Sequence, residues 1–135
     1  MAIEDFRYLT LTEAVKFHIL LMRKIGETRI GVFDKNLVDS ALARPKHAAE
    51  YESADIYRQS ATLCFGLIKN HPWQGGNKRT ATFLTNLFLK RNGYKISTST
   101  SDLVELCLKI EADVWEIDEI EDWFRRHTEK IESFV

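Results

Sequence analysis

Apolar residues recur at spacings of three and four along most of the chain, the pattern that places side chains on one face of an α-helix. Residues 10–26 show it first. Thr10 and Glu13 have the spacing of a capping box, and Gly26 is typical of a helix C-terminus. His18 lies on the apolar stripe between them, and a lone histidine on such a stripe is usually a hydrogen-bonded core residue. The pattern predicts an amphipathic first helix with a buried histidine.

Five further stretches carry the same period, and alternating strand patterns are nearly absent. Pro45 should end the second helix. Phe83 and Leu87 widen the apolar face of the fourth, which predicts a central position in the core. Asp102 and Asp118 are the predicted caps of the last two helices. We predict an all-α fold, a compact single domain over residues 1–135 with about six helices. The predicted helices cover residues 10–26, 34–44, 54–70, 77–93, 103–110 and 120–131, with Gly93 ending the fourth.

The composition fits one globular domain, since 44% of the residues are apolar and 29% are charged. The formal net charge of −1 excludes a general basic field, so we predict no direct nucleic-acid partner and only local anion sites. No apolar run reaches the roughly 18 residues of a membrane span, and the start lacks a signal-peptide core. Cys64 and Cys107 fit reduced core thiols, with a disulfide as the alternative. We therefore expect a cytoplasmic protein with no membrane partner.

The most informative stretch is NHPWQGGNKRTA, residues 70–81, between the third and fourth predicted helices. Pro72 disfavours the helical conformation at His71, so the third helix should end there and leave the imidazole free to project into the loop. The glycines at positions 75 and 76 allow backbone conformations that are closed to other residues. The stretch predicts a tight loop with a histidine at one end.

Lys78 and Arg79 stand in the first turn of the fourth helix, although a helix N-terminus is already the positive end of the helix dipole. Asn77 is the predicted N-cap, and the unpaired amides that follow it form an anion site. A bound anion would offset the unfavourable placement of the two cations, and such exceptions concentrate at functional sites. A histidine facing an oxyanion-binding helix start suits transfer of a phosphoryl or nucleotidyl group to a hydroxyl. The spacing is not that of a P-loop.

HPWQGGNKRTA resembles the signature of the Fic/Doc superfamily, whose Doc branch typically reads H-P-F-x-D-G-N-K-R-T-A. FDKNLVDSALARP is similar to the family's upstream stretch, and LFLKRNGYKI and EIEDWFRRH are similar to its downstream helices. Arg44, in the upstream stretch, either reaches the site or caps a helix C-terminus. The resemblance covers about residue 12 to about residue 128. It implies an all-α bundle with the motif loop between two central helices, and a toxin of a bacterial toxin–antitoxin pair.

The resemblance also implies an activity. Doc proteins transfer the γ-phosphate of ATP to a threonine of elongation factor Tu, and their Fic relatives transfer AMP. Lys78 and Thr82 fit the Doc pattern better, because Fic proteins usually have a glycine and a second arginine at these positions. The self-inhibitory string [S/T]-x-x-x-E-[G/N] does not occur, so we expect inhibition by a separate antitoxin. The expectation is a kinase-type toxin that modifies a Ser/Thr hydroxyl of a translation factor, with an AMP transferase as the alternative.

The same resemblance assigns roles to residues. His71 matches the catalytic histidine, and Trp73 replaces the phenylalanine that anchors the loop in the core. The family's magnesium-holding acid falls at Gly75, and glycine has no carboxylate for a hard cation. Mg²⁺ would then be held through the ATP substrate, with no clear protein ligand, and a non-catalytic binding module is a third hypothesis. The implied phosphate- and nucleotide-binding positions are Gly75, Gly76, Asn77, Lys78 and Arg79, with Gly76 at the anion hole.

Overall fold

The computed structural model describes residues 5–132. These residues form six α-helices and one two-stranded antiparallel sheet, which confirms the all-α fold class. The helices are α1 Leu11–Ile25, α2 Lys35–Glu52, α3 Ile56–Asn70, α4 Asn77–Arg91, α5 Thr100–Glu111 and α6 Ile117–His127. The strands are β1 Tyr94–Ile96 and β2 Thr128–Lys130. The motif loop lies between α3 and α4. Within the described part of the chain, no helix combines the length and apolarity required to cross a bilayer.

α2 continues through Pro45, so the prediction that the helix ends there is wrong. A proline inside a helix removes one hydrogen bond and costs about 3 kcal/mol. Val38, Ala41 and Pro45 itself are buried on the face of α2 that packs against α3, the most extensive helix–helix contact among the described residues. This packing offsets the cost of the proline. α2 ends only at Ser53, which adopts a left-handed conformation.

The helix ends agree with the sequence at α1 and differ from it at α5 and α6. α1 has its predicted capping box and terminal glycine. The side chain of Ser99, rather than Asp102, caps α5. Glu116 begins α6 with its own capping box, so Asp118 lies inside the helix. α6 stops at His127 because the residues that follow pair with β1 as strand β2. Local charge patterns therefore located these helices but missed their ends.

α3, rather than α4, lies at the centre of the core. It packs against α2, α4, α5 and α6, and ten of its residues are buried. α4 is apolar on a narrower face than predicted, since Phe83 is 39% exposed. Cys64 and Cys107 are both free and buried, which confirms the prediction of reduced core thiols. Burial raises the pKa of both thiols, that of Cys107 to about 11, so both stay protonated and unreactive.

His18 joins α1 to the motif loop. The side chain is fully buried, and its ring stacks on Trp73 with 4.2 Å between the centroids. Nε2 accepts a hydrogen bond from the backbone N–H of Gly31 at 3.0 Å, so Nδ1 carries the proton and donates it to Oγ1 of Thr80 at 2.9 Å. Burial lowers the pKa of His18 to about 4. The predicted core histidine is therefore a neutral link between four parts of the chain.

The loop after α1 lies beside the motif loop and pairs with it. The backbone N–H of Gln74 donates to the oxygen of Gly31 at 2.9 Å, and the N–H of Phe33 donates to the oxygen of Pro72 at 2.8 Å. Each bond crosses about 40 residues of sequence, so neither loop can shift without the other. The two loops form one ordered unit at the end of α1.

Gly75 lies directly against this neighbouring loop. A Cβ placed on Gly75 would be 2.8 Å from both the Cβ and the backbone oxygen of Arg29. Real Cβ atoms essentially never approach other atoms this closely. Because the backbone pairing holds the loop in place, the oxygen of Arg29 has little freedom to retreat. The arrangement leaves room at position 75 for glycine alone.

The link through His18 predicts a pH-dependent stability. Folding lowers the pKa of His18 from 6.5 to about 4, so the unfolded chain binds more protons between these values. The contribution of neutral His18 to the free energy of unfolding is complete above about pH 6.5 and is lost progressively as the pH falls towards 4. Between about pH 7 and pH 5 we expect the free energy of unfolding to fall by about 2 kcal/mol. Urea denaturation across this range measures it.

His18→Gln and His47→Gln separate this contribution from those of other groups. His47 is exposed, so its substitution should leave the pH slope intact, whereas His18→Gln should flatten it. The range stays above the ordinary pKa of carboxylates, whose protonation would otherwise contribute. Equal slopes in wild type and His18→Gln would contradict the assignment.

The contact at Gly75 predicts that even one methyl group destabilises the loop. We expect Gly75→Ala to lower the free energy of unfolding by about 1–3 kcal/mol, the usual cost of forcing atoms into a filled space. Gly66→Ala is the matched control: its closest neighbour, at 2.7 Å, is Cδ of the Arg44 side chain, which can change rotamer where a backbone oxygen cannot, so its loss should be smaller. Denaturant midpoints compare the two. A Gly75→Ala protein as stable as wild type would show that the loops separate easily.

Candidate functional site

A cleft of about 590 Å³ opens where the end of α1 meets the start of α4. Residues 25–29 line it on one side, and His71 with residues 74–79 line it on the other. Trp73 is 2% exposed and lies beneath the loop, in contact with His18. The fold thus brings His71 and all five predicted phosphate-binding positions into one cleft, with the predicted anchor residue in the core below them.

His71 is placed by the end of α3. It is the C-terminal cap, with φ 51° and ψ 52°, and Pro72 prevents further helix. Few residues other than glycine adopt this left-handed conformation, and histidine is among those that tolerate it. The side chain is exposed, and its Nδ1 lies 3.2 Å from Nδ2 of Asn77. The imidazole therefore faces the start of α4 across the loop.

Asn77 is the first residue of α4, so the prediction that it is the N-cap is wrong. Its side chain turns back to close the loop: Oδ1 accepts from the backbone N–H of Trp73, and Nδ2 donates to the oxygen of Trp73, each at 3.0 Å. These two bonds fix the assignment of the oxygen and the nitrogen in the side-chain amide of Asn77. The second hydrogen of Nδ2 then points at Nδ1 of His71, so the neutral imidazole carries its proton on Nε2.

Gly76 is the N-cap of α4 and has a left-handed φ of 65°. The conformation favours glycine, and a Cβ at this position would also force the Sδ end of the Met22 side chain to move. Glycine offers no side chain to the helix start. The backbone N–H groups of Asn77, Lys78 and Arg79 therefore lack hydrogen-bond acceptors within residues 5–132. Three unpaired amides and the helix dipole together make this end of the cleft electropositive.

The two cations of the motif have different surroundings. Lys78 forms an ion pair with Glu111 of α5, with Nζ 3.2 Å from Oε2. Arg79 is exposed and has no ion-pair partner among residues 5–132. Sequence reasoning grouped these two residues and did not include Glu111, which is 33 positions away and becomes a neighbour only when α5 packs. Arg79 is the freer of the two for binding an anion.

The opposite wall carries a charged pair that sequence reasoning missed. Oε1 of Glu27 accepts hydrogen bonds from the backbone N–H groups of Thr28 and Arg29, and it lies 3.5 Å from Nε of Arg29. These bonds, chiefly the one from the Arg29 backbone, lower the pKa of Glu27 and keep it ionised. The residues follow Gly26 in an unremarkable polar turn. No local signal marks them, because they reach the site through the pairing of the two loops.

A protein-held Mg²⁺ does not fit the residues of the cleft. Position 75, where the family's metal-binding acid falls, is a glycine enclosed by Arg29. Glu27 is the only carboxylate in the lining, and it is engaged by backbone amides and by an arginine. Within residues 5–132, no group of three or more histidine, cysteine, aspartate or glutamate side chains could hold a metal ion. The site offers cations and amides rather than hard oxygen ligands.

Arg44 does not reach the cleft. Its guanidinium lies over the ring of Phe65, 5.4 Å from the centroid, and its stem packs on Gly66 of α3. It also does not cap a helix C-terminus, since α2 continues for two more turns beyond it. Its role is to pack α2 on α3.

Comparison with known proteins identifies the family of the chain. The model of the Fic/DOC family matches residues 8–89, which is more than half of the chain. The chain is 26% identical over 121 residues to the "Protein kinase doc" of Escherichia phage P1, an alignment that covers 89% of this chain and 94% of that protein. The family match includes both loops and the start of α4. The chain therefore belongs to the Fic/Doc family, and within it to the Doc type.

Proposed function

We propose that this protein is a Doc-type toxin that transfers the γ-phosphate of ATP to a Ser/Thr hydroxyl of a translation factor similar to elongation factor Tu. It acts in the cytoplasm and is neutralised by a separate antitoxin. The observation that carries this proposal is the position of His71 opposite three unpaired amides of α4 in one cleft. Membership of the Fic/Doc family and likeness to the phage P1 kinase support the kind of transfer.

The start of α4 supplies the binding groups for the phosphates. The three free amides and Gly76 allow close approach of phosphate oxygens, and the helix dipole favours their charge. Arg79 adds a planar guanidinium that can hold two oxygens at once. Lys78 contributes less charge than its sequence position suggests, because Glu111 neutralises it. Phosphate binding would therefore depend on the backbone and Arg79.

The transfer step uses few protein groups. The oxygen of the acceptor hydroxyl attacks the γ-phosphorus, the bond to the β–γ bridging oxygen breaks, and ADP leaves with that electron pair. His71 receives the proton of the hydroxyl. Acceptance at Nε2 requires the ring to carry its other proton on Nδ1, so the hydrogen bond from Asn77 must open first. At 3.2 Å it is the longest of the three bonds that Asn77 makes, which suits this exchange.

Thr82 distinguishes the proposed phosphate transfer from AMP transfer. Thr82 donates its hydroxyl to backbone oxygens of α4, so the position offers no cation for the α-phosphate. This favours phosphate transfer over the AMP transfer of Fic proteins. A non-catalytic binding module is the remaining alternative, motivated by the missing acid at Gly75.

Separate labels on ATP distinguish the three possibilities. With the purified protein and elongation factor Tu, γ-labelled ATP should label the factor and α-labelled ATP should not. Label from the α-position alone would establish AMP transfer instead. A factor left unlabelled by both, with the labelled ATP shown to be intact, would favour the binding module.

His71→Ala should abolish growth arrest on expression and slow phosphate transfer on the order of 10²–10⁴-fold, the usual contribution of a positioned acid–base group. His47→Ala is the matched control, because His47 is exposed on α2 and does not line the cleft. Thermal unfolding of both variants verifies that the fold survives. Equal toxicity of His71→Ala and wild type would remove histidine from the mechanism.

A further inference from the structure

We propose that Arg29 is a third cation for the phosphates, and that the cleft binds the ATP polyphosphate with arginines and amides in place of a protein-held divalent cation. This inference rests on the function proposed above, since it concerns the same nucleotide in the same cleft. It assigns a role to a residue outside the motif loop. It also accounts for the glycine at the position of the family's metal-binding acid.

The position of Arg29 supports this role. Its Nε lies 3.3 Å from the point where a Cβ of Gly75 would be, and its own Cβ lies 2.8 Å from that point. The stem of the arginine thus occupies the space into which an acid at position 75 would begin to project. The paired backbones of the two loops hold it there. This wall of the cleft therefore presents a cationic side chain beside the position of the family's acid.

The hydrogen bonds of Arg29 leave its outer nitrogens available. Glu27 contacts only Nε, at 3.5 Å. The terminal Nη1 and Nη2 atoms make no hydrogen bond or ion pair with any residue from 5 to 132, and the side chain is 71% exposed. Glu27 therefore engages the guanidinium at Nε alone, and the terminal N–H donors remain exposed on a side chain that lines the cleft. The fork that these donors form matches the geometry of phosphate oxygens.

The charge of the lining favours this assignment over a metal site. The terminal nitrogens of Arg29 and Arg79 have no carboxylate partner among residues 5–132, although Nε of Arg29 is paired with Glu27, and three free amides lie beside Arg79. A divalent cation bound at this wall would be repelled by Arg29 and would find only Glu27 as an acidic ligand. An acid at position 75 would instead pair with Arg29 and remove it from the phosphates. The glycine at position 75 and the arginine at position 29 are therefore both consistent with phosphate binding without a protein-held metal.

Calorimetric titration of the full chain with ATP tests the inference, once with excess EDTA and once with excess Mg²⁺. We expect the wild type to bind ATP with dissociation constants that agree within about threefold in the two conditions. Arg29→Gln, which keeps much of the stem and removes the charge, should weaken binding on the order of 10- to 100-fold. Arg29→Lys, which keeps the charge and loses the fork, should fall between the two.

Arg23→Gln is the matched control. Arg23 is also an exposed arginine, on α1 outside the cleft, so its substitution changes the net charge equally and should leave ATP binding unchanged. The melting temperature of each variant establishes that it is folded, and the exposure of the Arg29 head group predicts that all of them are. Inorganic tripolyphosphate as a second ligand should show the same order of affinities, since the inference concerns phosphates alone.

Three results would overturn the inference, and they are distinguishable. Equal ATP affinity of Arg29→Gln and wild type would remove Arg29 from the site while leaving the proposed function intact. Binding tightened tenfold or more by Mg²⁺, and lost in Glu27→Gln, would show that Glu27 holds a metal. A wild type that binds ATP in neither condition would overturn the proposed function together with the inference.

Discussion

A buried, neutral histidine holds the two halves of the candidate site together. His18 stacks on Trp73 and bonds to Gly31 and Thr80, so one imidazole connects α1, the loop after it, the motif loop and α4. Desolvation keeps the ring uncharged, which lets one nitrogen accept and the other donate. A charged ring would donate from both nitrogens and leave the N–H of Gly31 without an acceptor. The geometry of the cleft depends on this balance.

The main feature of the resulting cleft is the set of backbone N–H groups at the start of α4 that have no acceptor among residues 5–132. Glycines at 75 and 76 bring one loop against its neighbour and leave the start of α4 without a side-chain cap. Asn77 then directs its amide back into the loop, where it positions both Trp73 and His71. The same glycines that create an anion-binding helix start thus exclude a carboxylate beside it. In the proposed mode of binding, Arg29 compensates the charge of the phosphates from the other side of the cleft. This residue lies outside the motif and reaches the cleft through the fold.

Much of this could be anticipated from particular residues. The period of the apolar positions located all six helices, and Pro72 predicted the end of α3 at His71. The cations at a helix start predicted an anion site there, a prediction that the unpaired amides at the start of α4 support. Several errors involved a partner distant in sequence, whereas the N-caps of α4, α5 and α6 lie one to three residues before the predicted ones. Pro45 stays helical because α2 packs on α3, and α6 ends early because β2 pairs with β1. Lys78 is neutralised by Glu111 only after α5 docks.

The sequence by itself determined the helical class, the motif loop and the chemistry that its residues can perform, since these follow from local periodicity, turn residues and side-chain type. Only the tertiary structure decided which groups of the candidate site are free to contact a ligand. Asn77 closes the loop rather than capping the helix, Lys78 is paired, and Arg29 reaches the cleft from a polar turn more than 40 positions before the motif. The pairing of Lys78 and the position of Arg29 depend on contacts between distant segments, which no local pattern encodes. Asn77 bonds within its own loop, so its role is decided by the conformation of that loop.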